Sequence, residues 1–185
     1  MSGGRLIAVV GPSGVGKDSV MAALAAAEPR LHLVRRVITR PVALGGEPFD
    51  GVEEAEFARR RAAGDLALDW SAHGLRYGVP TEELACLGTG RDALVNLSRA
   101  VLGAARQLAR ALVVIRLSAS PETLAARLAA RGRESDAEIA GRLSRAAMPL
   151  PGDLPDDVRV LGISNDGALA ATVAEIRARL YPVRG

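Results

Sequence analysis

The sequence predicts an α/β fold of three layers, in which a central parallel sheet lies between helices. An apolar run of strand length, Arg5 to Val10, leads through a glycine-rich loop into an alanine-rich stretch of helix formers that ends at Ala27. Two further apolar runs, at 92–96 and 112–117, have the composition of buried parallel strands. A helical stretch at 98–110 separates them, as the crossover between parallel strands requires. A length of 185 residues suits one domain of this kind.

The remaining elements are predicted from local composition. Alternating apolar residues indicate strands, stretches rich in Ala, Leu, Glu and Arg indicate helices, and Gly or Pro clusters indicate turns. In chain order, this predicts a strand at 31–37, a loop at 42–52, a helix at 53–63, an extended segment at 65–70, a turn at 77–80, a short helix capped by Thr81, a helix at 121–132, a second helix that runs through 147, a loop at 148–157, a strand at 158–164 and a helix at 168–180.

The glycine-rich loop carries the most specific signal. It reads Gly11, Pro12, Ser13, Gly14, Val15, Gly16, Lys17. The pattern G-x-x-x-x-G-K between a strand and a helix predicts a P-loop, whose backbone N–H groups surround phosphate oxygens at a helix N-terminus. The chain contains 23 arginines and a single lysine, and the lysine stands where a compact charge must reach the β- and γ-phosphates. The sequence therefore predicts a P-loop NTPase fold that uses a nucleoside triphosphate.

One residue departs from this pattern. A Ser or Thr normally follows the lysine and ligates magnesium through its hydroxyl, whereas Asp18 occupies that position in this chain and Ser19 comes one residue later. A carboxylate also ligates Mg²⁺, directly or through a water. Asp18 is therefore the predicted metal ligand, and both residues belong to the predicted nucleotide-binding loop. The alternative is that Asp18 only stabilises the first turn of the helix, as acidic residues do.

Composition excludes several classes of function. The single cysteine, Cys86, excludes an internal disulfide and a multi-cysteine zinc site. The longest apolar runs are strand-sized, short of the ~20 residues that span a membrane, and the N-terminus leads almost directly into the first strand. We therefore expect a cytoplasmic monomer or homodimer without a membrane partner. The net charge of +3 is spread along a chain with five aromatic residues, which matches small phosphorylated ligands better than nucleic acid.

These landmarks together resemble the guanylate-kinase-like branch of the nucleoside monophosphate kinases over almost the whole chain. The matching pieces are the P-loop, Ile38-Thr39-Arg40-Pro41 with Gly46-Glu47, Leu68-Asp69-Trp70, Tyr77-Gly78, Arg127-Leu128 with Arg131-Gly132-Arg133-Glu134, Arg142-Leu143-Ser144, and Ile163-Ser164-Asn165-Asp166. The resemblance implies a core, a small acceptor-binding insert and a helical lid. Their expected bounds are 1–37, 92–126 and 148–185 for the core, about 38–91 for the insert and about 127–147 for the lid.

The resemblance also implies roles for individual residues. Arg40 and Tyr77 would contact the acceptor phosphate, Asn165 would lie near the adenine, and Lys17 would act in catalysis. The lid arginines that would close on the phosphates are Arg131, Arg133 and Arg142, of which the first and last are the predicted catalytic pair.

Within this branch, three segments resemble the ribose 1,5-bisphosphate phosphokinases of phosphonate catabolism. They are Leu68 to Pro80, Val95 to Arg99, and the Gly-Lys-Asp-Ser end of the P-loop. Those enzymes make 5-phospho-α-D-ribose 1-diphosphate (PRPP) from ribose 1,5-bisphosphate and ATP. An acceptor with two phosphates and no base needs cations more than purine recognition. The substrate contacts that the resemblance implies are Arg40, Asp69, His73, Tyr77, Asn96, Ser98 and Arg99; His73, beside Gly74, is alternatively a turn residue.

Three other functions stay open. Asp69 occupies the place where guanylate kinases use a glutamate for guanine, so conversion of GMP to GDP is the alternative. Guanylate-kinase-like interaction modules typically have a degraded phosphate loop, whereas the glycines and the lysine are intact in this chain. In either kinase reaction the acceptor is an ionised phosphate oxygen, so no general base is required. A hydroxyl kinase would need a carboxylate, for which Asp18 or Asp50 is available.

Overall fold

Two β-sheets organise the described part of the chain, one of five parallel strands and one of four mixed strands. The structure is a computed structural model, and it describes residues 3–41, 48–131, 141, 150 and 154–182.

Strands and helices are numbered in the order in which they occur along the described chain. The strands are β1 (Leu6–Val10), β2 (Leu31–Leu33), β3 (Arg36–Ile38), β4 (Phe49–Gly51), β5 (Leu66–Ala72), β6 (Leu75–Pro80), β7 (Asp92–Asn96), β8 (Leu112–Ser118) and β9 (Arg159–Ser164). The α-helices are α1 (Lys17–Ala27), α2 (Glu54–Ala63), α3 (Leu102–Arg106), α4 (Pro121–Arg131) and α5 (Leu169–Leu180), and 3-10 helices cover Glu82–Thr89 and Arg99–Val101. Among the described helices, none is both long and apolar enough to cross a membrane.

The central sheet has the strand order β2-β7-β1-β8-β9, which confirms the predicted α/β fold. All five residues of β1 are buried, so each face of the strand packs against its own apolar cluster. Ile7 and Val9 pack with Leu24 of α1 and Ile176 of α5, whereas the other face packs with Leu102 of α3. Burying each such side chain contributes about 1.5–3 kcal/mol. The P-loop therefore extends from a strand that is packed on both faces.

The second sheet has the order β4-β3-β6-β5 and is drawn from residues 36–80. Side chains alternate between the two faces of a strand, so the register places them. One face carries Leu68 and Val79, which belong to a core cluster shared with the central sheet. The opposite face is covered by α2 through the buried Phe57, over which the Arg76 guanidinium lies at 5.1 Å from the ring centroid. The first of these faces is thus turned toward the central sheet.

A cluster of charged and polar side chains lies at the end of the central sheet opposite the P-loop. The buried carboxylate of Asp92 accepts hydrogen bonds from the Arg5 backbone N–H (2.7 Å), Arg5 Nη2 (2.6 Å) and the Tyr181 hydroxyl (2.6 Å). Burial alone would raise the pKa of Asp92, but the bonds from Arg5 and Tyr181 outweigh it and hold this pKa below its ordinary value. The cluster ties the N-terminal segment and the end of α5 to β7.

Replacing this carboxylate is expected to destabilise the protein. Asp92→Asn should lower the free energy of unfolding by about 2 kcal/mol at neutral pH, because Arg5 loses a charged partner. A carboxylate whose pKa is lowered by folding stabilises the native state above about pH 4, and this contribution is lost as pH falls through the folded pKa. Urea unfolding should be measured for both proteins from pH 7 to pH 3. The difference in unfolding free energy between wild type and Asp92→Asn should become smaller as the pH falls.

Asp157→Asn is the matched control, since that exposed carboxylate pairs with Arg106 at the surface and should matter much less. Equal unfolding free energies for wild type and Asp92→Asn at pH 7 would contradict the stabilising role of the cluster.

The single strand predicted at 31–37 is wrong, because the chain forms two strands there in different sheets. Val34 is buried and its N–H still bonds to Leu94 O of the central sheet at 2.9 Å. The exposed Arg35 then bonds through its N–H to Glu83 at 3.1 Å, and Arg36 begins β3 beside Phe49. This break lets one apolar segment contribute to both sheets.

The turn predicted at 77–80 is also wrong, since these residues lie in β6. The chain reverses earlier, at His73 and Gly74, whose φ angles of 52° and 73° suit a two-residue hairpin turn. Gly78 is part of this strand. A side chain at position 78 would force Leu66 of β5 to move, because its Cδ1 lies 2.8 Å from an added Cβ.

The helix predicted at 98–110 is shorter than expected. It consists of a 3-10 turn and α3, and the Gln107 N–H bonds to Ala104 O at 3.1 Å, a tighter turn that ends it. The predicted loop at 42–52 contains β4, and Thr81 makes no side-chain capping bond to the following 3-10 helix.

Candidate active site

The P-loop lies between the end of β1 and the start of α1. Gly14 and Gly16 have φ angles of 85° and 91°, a left-handed conformation that turns successive backbone N–H groups toward one side. Lys17 Nζ donates to Gly11 O at 2.9 Å and Pro12 O at 3.1 Å, so the ammonium lies against the loop itself. The structure thus brings the predicted phosphate-binding backbone and the single lysine together.

A buried network holds the carbonyl of Val15 in this loop. Asn165 Nδ2 donates to Val15 O at 2.8 Å, and Arg127 Nη1 donates to the same oxygen at 3.2 Å. Arg127 Nη2 also donates to Asn165 O at 2.8 Å, and the Thr172 hydroxyl donates to Asn165 Oδ1 at 2.8 Å. Asn165 is buried beside the P-loop with its amide bonded to protein groups on both sides. Its position near the adenine stays a prediction.

Asp18 lies in the first turn of α1 and is exposed. It lines a small cleft together with Met21 of α1, with Leu33 and Val34 at the end of β2, and with Pro48. Across the described ranges, no group of three or more His, Cys, Asp or Glu side chains is arranged to hold a metal ion alone. Mg²⁺ usually binds through one or two carboxylates together with substrate phosphates, and Asp18 beside the P-loop fits that mode.

The face of the second sheet that is turned toward the central sheet carries a cationic and aromatic cluster. Tyr77 pairs with Trp70 across β5 and β6, and their rings stack with centroids 5.3 Å apart. The Arg36 guanidinium lies 5.1 Å from the Tyr77 centroid and 5.7 Å from that of Trp70. Just beyond β3, Arg40 is half-buried and lies over Phe49 at 4.5 Å. Tyr77 and Arg40, both predicted acceptor contacts, therefore flank a buried arginine.

Sequence reasoning missed Arg36. This residue is 6% exposed, and burial lowers its pKa to about 10, so it stays charged at neutral pH. The available signal was the arginine pair at 35–36 in a strand-like segment, where alternation requires one of the two to point inward.

Two predicted substrate contacts are not brought to this face. Asp69 pairs with Gly78 and so lies on the opposite face from Trp70, where Arg61 Nε of α2 approaches its carboxylate at 3.2 Å. His73 is exposed at the tip of the β5–β6 hairpin, which matches its turn role.

Three other predicted contacts lie at the carboxyl end of β7, on the same sheet edge as the P-loop. The buried Asn96 pairs with Val9 near the end of β1. The Ser98 hydroxyl accepts from the Ala100 N–H at 3.4 Å and so begins the 3-10 turn, in which the half-buried Arg99 is the first residue. Ligands of open α/β sheets bind at this edge.

Several predicted residues lie outside the described part of the structure. They are Gly46 and Glu47, the side chain of Arg131, and Arg133 and Arg142. The lid at about 127–147 and its arginines accordingly stay predictions.

Fold and loop together define the class of protein: a P-loop NTPase with the guanylate kinase fold. The chain superposes on the guanylate kinase of Anaplasma phagocytophilum with a TM-score of 0.59, covering 97% of this chain and 86% of that one. Because the two sequences are 18% identical, this likeness concerns the fold alone. No protein-family model matches the chain.

Comparison with proteins of similar sequence identifies the family within this class. Over 181 residues the chain is 52% identical to ribose 1,5-bisphosphate phosphokinase of Ruegeria sp. (strain TM1040), covering 98% of this chain and 94% of the relative. It is 47% identical over 175 residues to the protein of the same name from Pantoea vagans (strain C9-1), covering 94% of this chain and 95% of the relative. The chain belongs to the ribose 1,5-bisphosphate phosphokinase family, which confirms the resemblance found in its motifs.

Proposed function

We propose that the protein transfers the γ-phosphoryl group of ATP to ribose 1,5-bisphosphate and forms PRPP, a step of phosphonate degradation. Family membership supports this reaction. The structural observation that supports it is the second sheet, whose face toward the central sheet carries Arg36 and Tyr77, with Arg40 over Phe49 just beyond β3. Such a face suits an acceptor rich in phosphate.

The chemistry requires positioning and charge neutralisation more than proton transfer. The attacking oxygen belongs to a phosphate and is already ionised at neutral pH, so no general base is needed. Lys17 and the P-loop N–H groups would hold the triphosphate, and Asp18 would help to hold Mg²⁺, which neutralises charge between the phosphates. Arg40 would orient the acceptor phosphate.

A lid that closes over the bound phosphates is a further part of the proposed mechanism. Residues at about 127–147 would close over the phosphates, and residues at about 38–91 would form the acceptor-binding insert. Closure would exclude water and bring further positive charge to the transferring group. The lid residues proposed for this are Arg131, Arg133 and Arg142. We propose that the protein works in the cytoplasm as a monomer or homodimer.

Phosphorylation of GMP is the competing function, because the fold is that of a guanylate kinase. The residue that would read guanine by resemblance is Asp69. It lies on the face covered by α2 and pairs with Arg61, away from Tyr77. This placement favours the sugar phosphate as acceptor.

A coupled assay tests the proposed reaction. Purified protein with ATP, Mg²⁺ and ribose 1,5-bisphosphate should consume one ATP for each PRPP formed, with PRPP measured through an added phosphoribosyltransferase. Ribose 5-phosphate is the control, because it offers a hydroxyl at C1 in place of a phosphate. Absence of PRPP with the bisphosphate, or faster ATP consumption with ribose 5-phosphate, would refute phosphoryl transfer to a phosphate acceptor.

A further inference from the structure

Arg36 is a charged side chain in a place that ordinarily excludes charge. It is the first residue of β3, shares a face with Ile38 and Tyr77, and is 6% exposed. Aromatic faces stabilise a guanidinium that lies over them, and two do so in this cluster. A guanidinium is costly to remove from water, and charged groups held in such places are candidates for a functional role.

The electrostatic surroundings of Arg36 have both signs. Burial lowers its pKa most strongly, Tyr77 and Asp18 raise it, and the positive charge of Arg40 lowers it again. The two arginines are thus close enough to repel each other, and Asp18 is close enough to attract Arg36. A site with this balance gains free energy when a multiply charged anion enters it.

Arg36 and Arg40 differ in their place along the chain and in the aromatic ring that each guanidinium contacts. Arg36 begins β3, whereas Arg40 lies two residues beyond the end of that strand. The chain turns sharply after β3, where the Arg40 N–H bonds to Ile38 O at 2.8 Å, and the two guanidinium groups lie over different rings. They are therefore placed to bind two separate groups of one ligand.

We propose that Arg36 is the residue that selects an acceptor with two phosphates: its guanidinium binds the phosphate that is not phosphorylated, the one at C5 of the ribose, while Arg40 holds the phosphate at C1. This inference rests on the proposed function and adds the specificity determinant. A nucleoside monophosphate lacks the second phosphate, so it cannot form the charge-assisted contact with Arg36. The enzyme then discriminates between the two acceptors through this one contact, which the bisphosphate makes and the nucleoside monophosphate lacks. The contact is strong because it is buried.

The test compares two acceptors that differ only in the C5 phosphate, ribose 1,5-bisphosphate and α-D-ribose 1-phosphate. In wild type, kcat/KM should strongly favour the bisphosphate. In Arg36→Met this ratio should fall about 10-fold or more, through loss of activity with the bisphosphate alone. Arg36→Lys keeps the charge and loses the bidentate fork, so the ratio should fall several-fold. Arg35→Met, a change in the exposed neighbour, should leave the ratio unchanged.

Thermal unfolding separates this role from a structural one. A buried charge replaced by an apolar side chain of similar length commonly leaves stability unchanged or raised. We expect Arg36→Met to unfold at or above the wild-type temperature while losing discrimination. An unchanged kcat/KM ratio in folded Arg36→Met would overturn the proposal, and if that variant does not fold, an unchanged ratio in Arg36→Lys would do so.

Failure of the proposed function is distinguishable from failure of this inference. A wild-type protein that does not phosphorylate the bisphosphate refutes the proposed function. Isothermal titration calorimetry with the same two sugars then still tests Arg36, since Arg36→Met should lose affinity for the bisphosphate about 10-fold and retain that for ribose 1-phosphate. Equal losses for both sugars would overturn the assignment.

Discussion

Lys17→Ala is expected to lower kcat by about 10²-fold or more while the protein stays folded. The ammonium lies against the P-loop through Gly11 O and Pro12 O, where it can exchange these neutral acceptors for the oxygens of the migrating phosphoryl group. An oriented charge that acts mainly on the transition state is worth a few kcal/mol in such a site. Steady-state kinetics with ATP and ribose 1,5-bisphosphate, together with circular dichroism, measures both parts of this prediction.

Lys17→Arg is the informative companion variant. It preserves the charge but replaces a compact ammonium by a planar fork, so it should also lose most of the turnover. Wild-type turnover in a folded Lys17→Ala protein would contradict the P-loop assignment. Full activity of Lys17→Arg would show that charge alone suffices at this position.

Gly16→Ala is expected to lower kcat/KM for ATP by about 10²-fold. Gly16 has a φ of 91°, where an L-residue is strained by roughly 1–2 kcal/mol, and an added Cβ would lie 2.8 Å from Asn165 Nδ2. That amide holds Val15 O, so the added methyl group must displace the network that fixes the loop. Misplacing a phosphate cradle by about 1 Å is enough for a loss of this size.

Gly64→Ala provides a matched control for backbone strain. Gly64 ends α2 with a φ of 78°, yet an added Cβ there would meet nothing within 4 Å. This variant should lose about 1 kcal/mol of stability and keep its kcat/KM, with unfolding and kinetics measured for both proteins. Equal effects of the two substitutions on activity would show that strain alone, without the Asn165 contact, explains the Gly16 result.

The central sheet and the P-loop were predictable because their signals are local. A buried parallel strand is a continuous apolar run, and β1, β7 and β8 match the predicted runs closely. The loop that follows β1 is specified by glycines and a lysine at fixed offsets. Neither signal depends on how distant parts of the chain pair.

The acceptor side was less predictable because it depends on register and on which face of a sheet is covered. Asp69 and Trp70 are neighbours in sequence, but the pairing of β5 with β6 sends them to opposite faces. Arg36 reaches the face that carries Tyr77 because the chain changes sheets after Val34, a break that the apolar pattern at 31–37 does not show. Arg127 was expected only in the lid, and its bond to Val15 O is a contact between residues far apart in sequence.

The central claim, that the acceptor is ribose 1,5-bisphosphate, is tested most directly by competition. Equal concentrations of ribose 1,5-bisphosphate and GMP are mixed with the enzyme, Mg²⁺ and a limiting amount of ATP, and PRPP and GDP are measured together by ³¹P NMR. Early in the reaction, the ratio of the two products equals the ratio of kcat/KM values, independent of enzyme concentration. Our account predicts PRPP as the dominant product; GDP in equal or greater amount would contradict it and identify the protein as a guanylate kinase in activity as well as in fold.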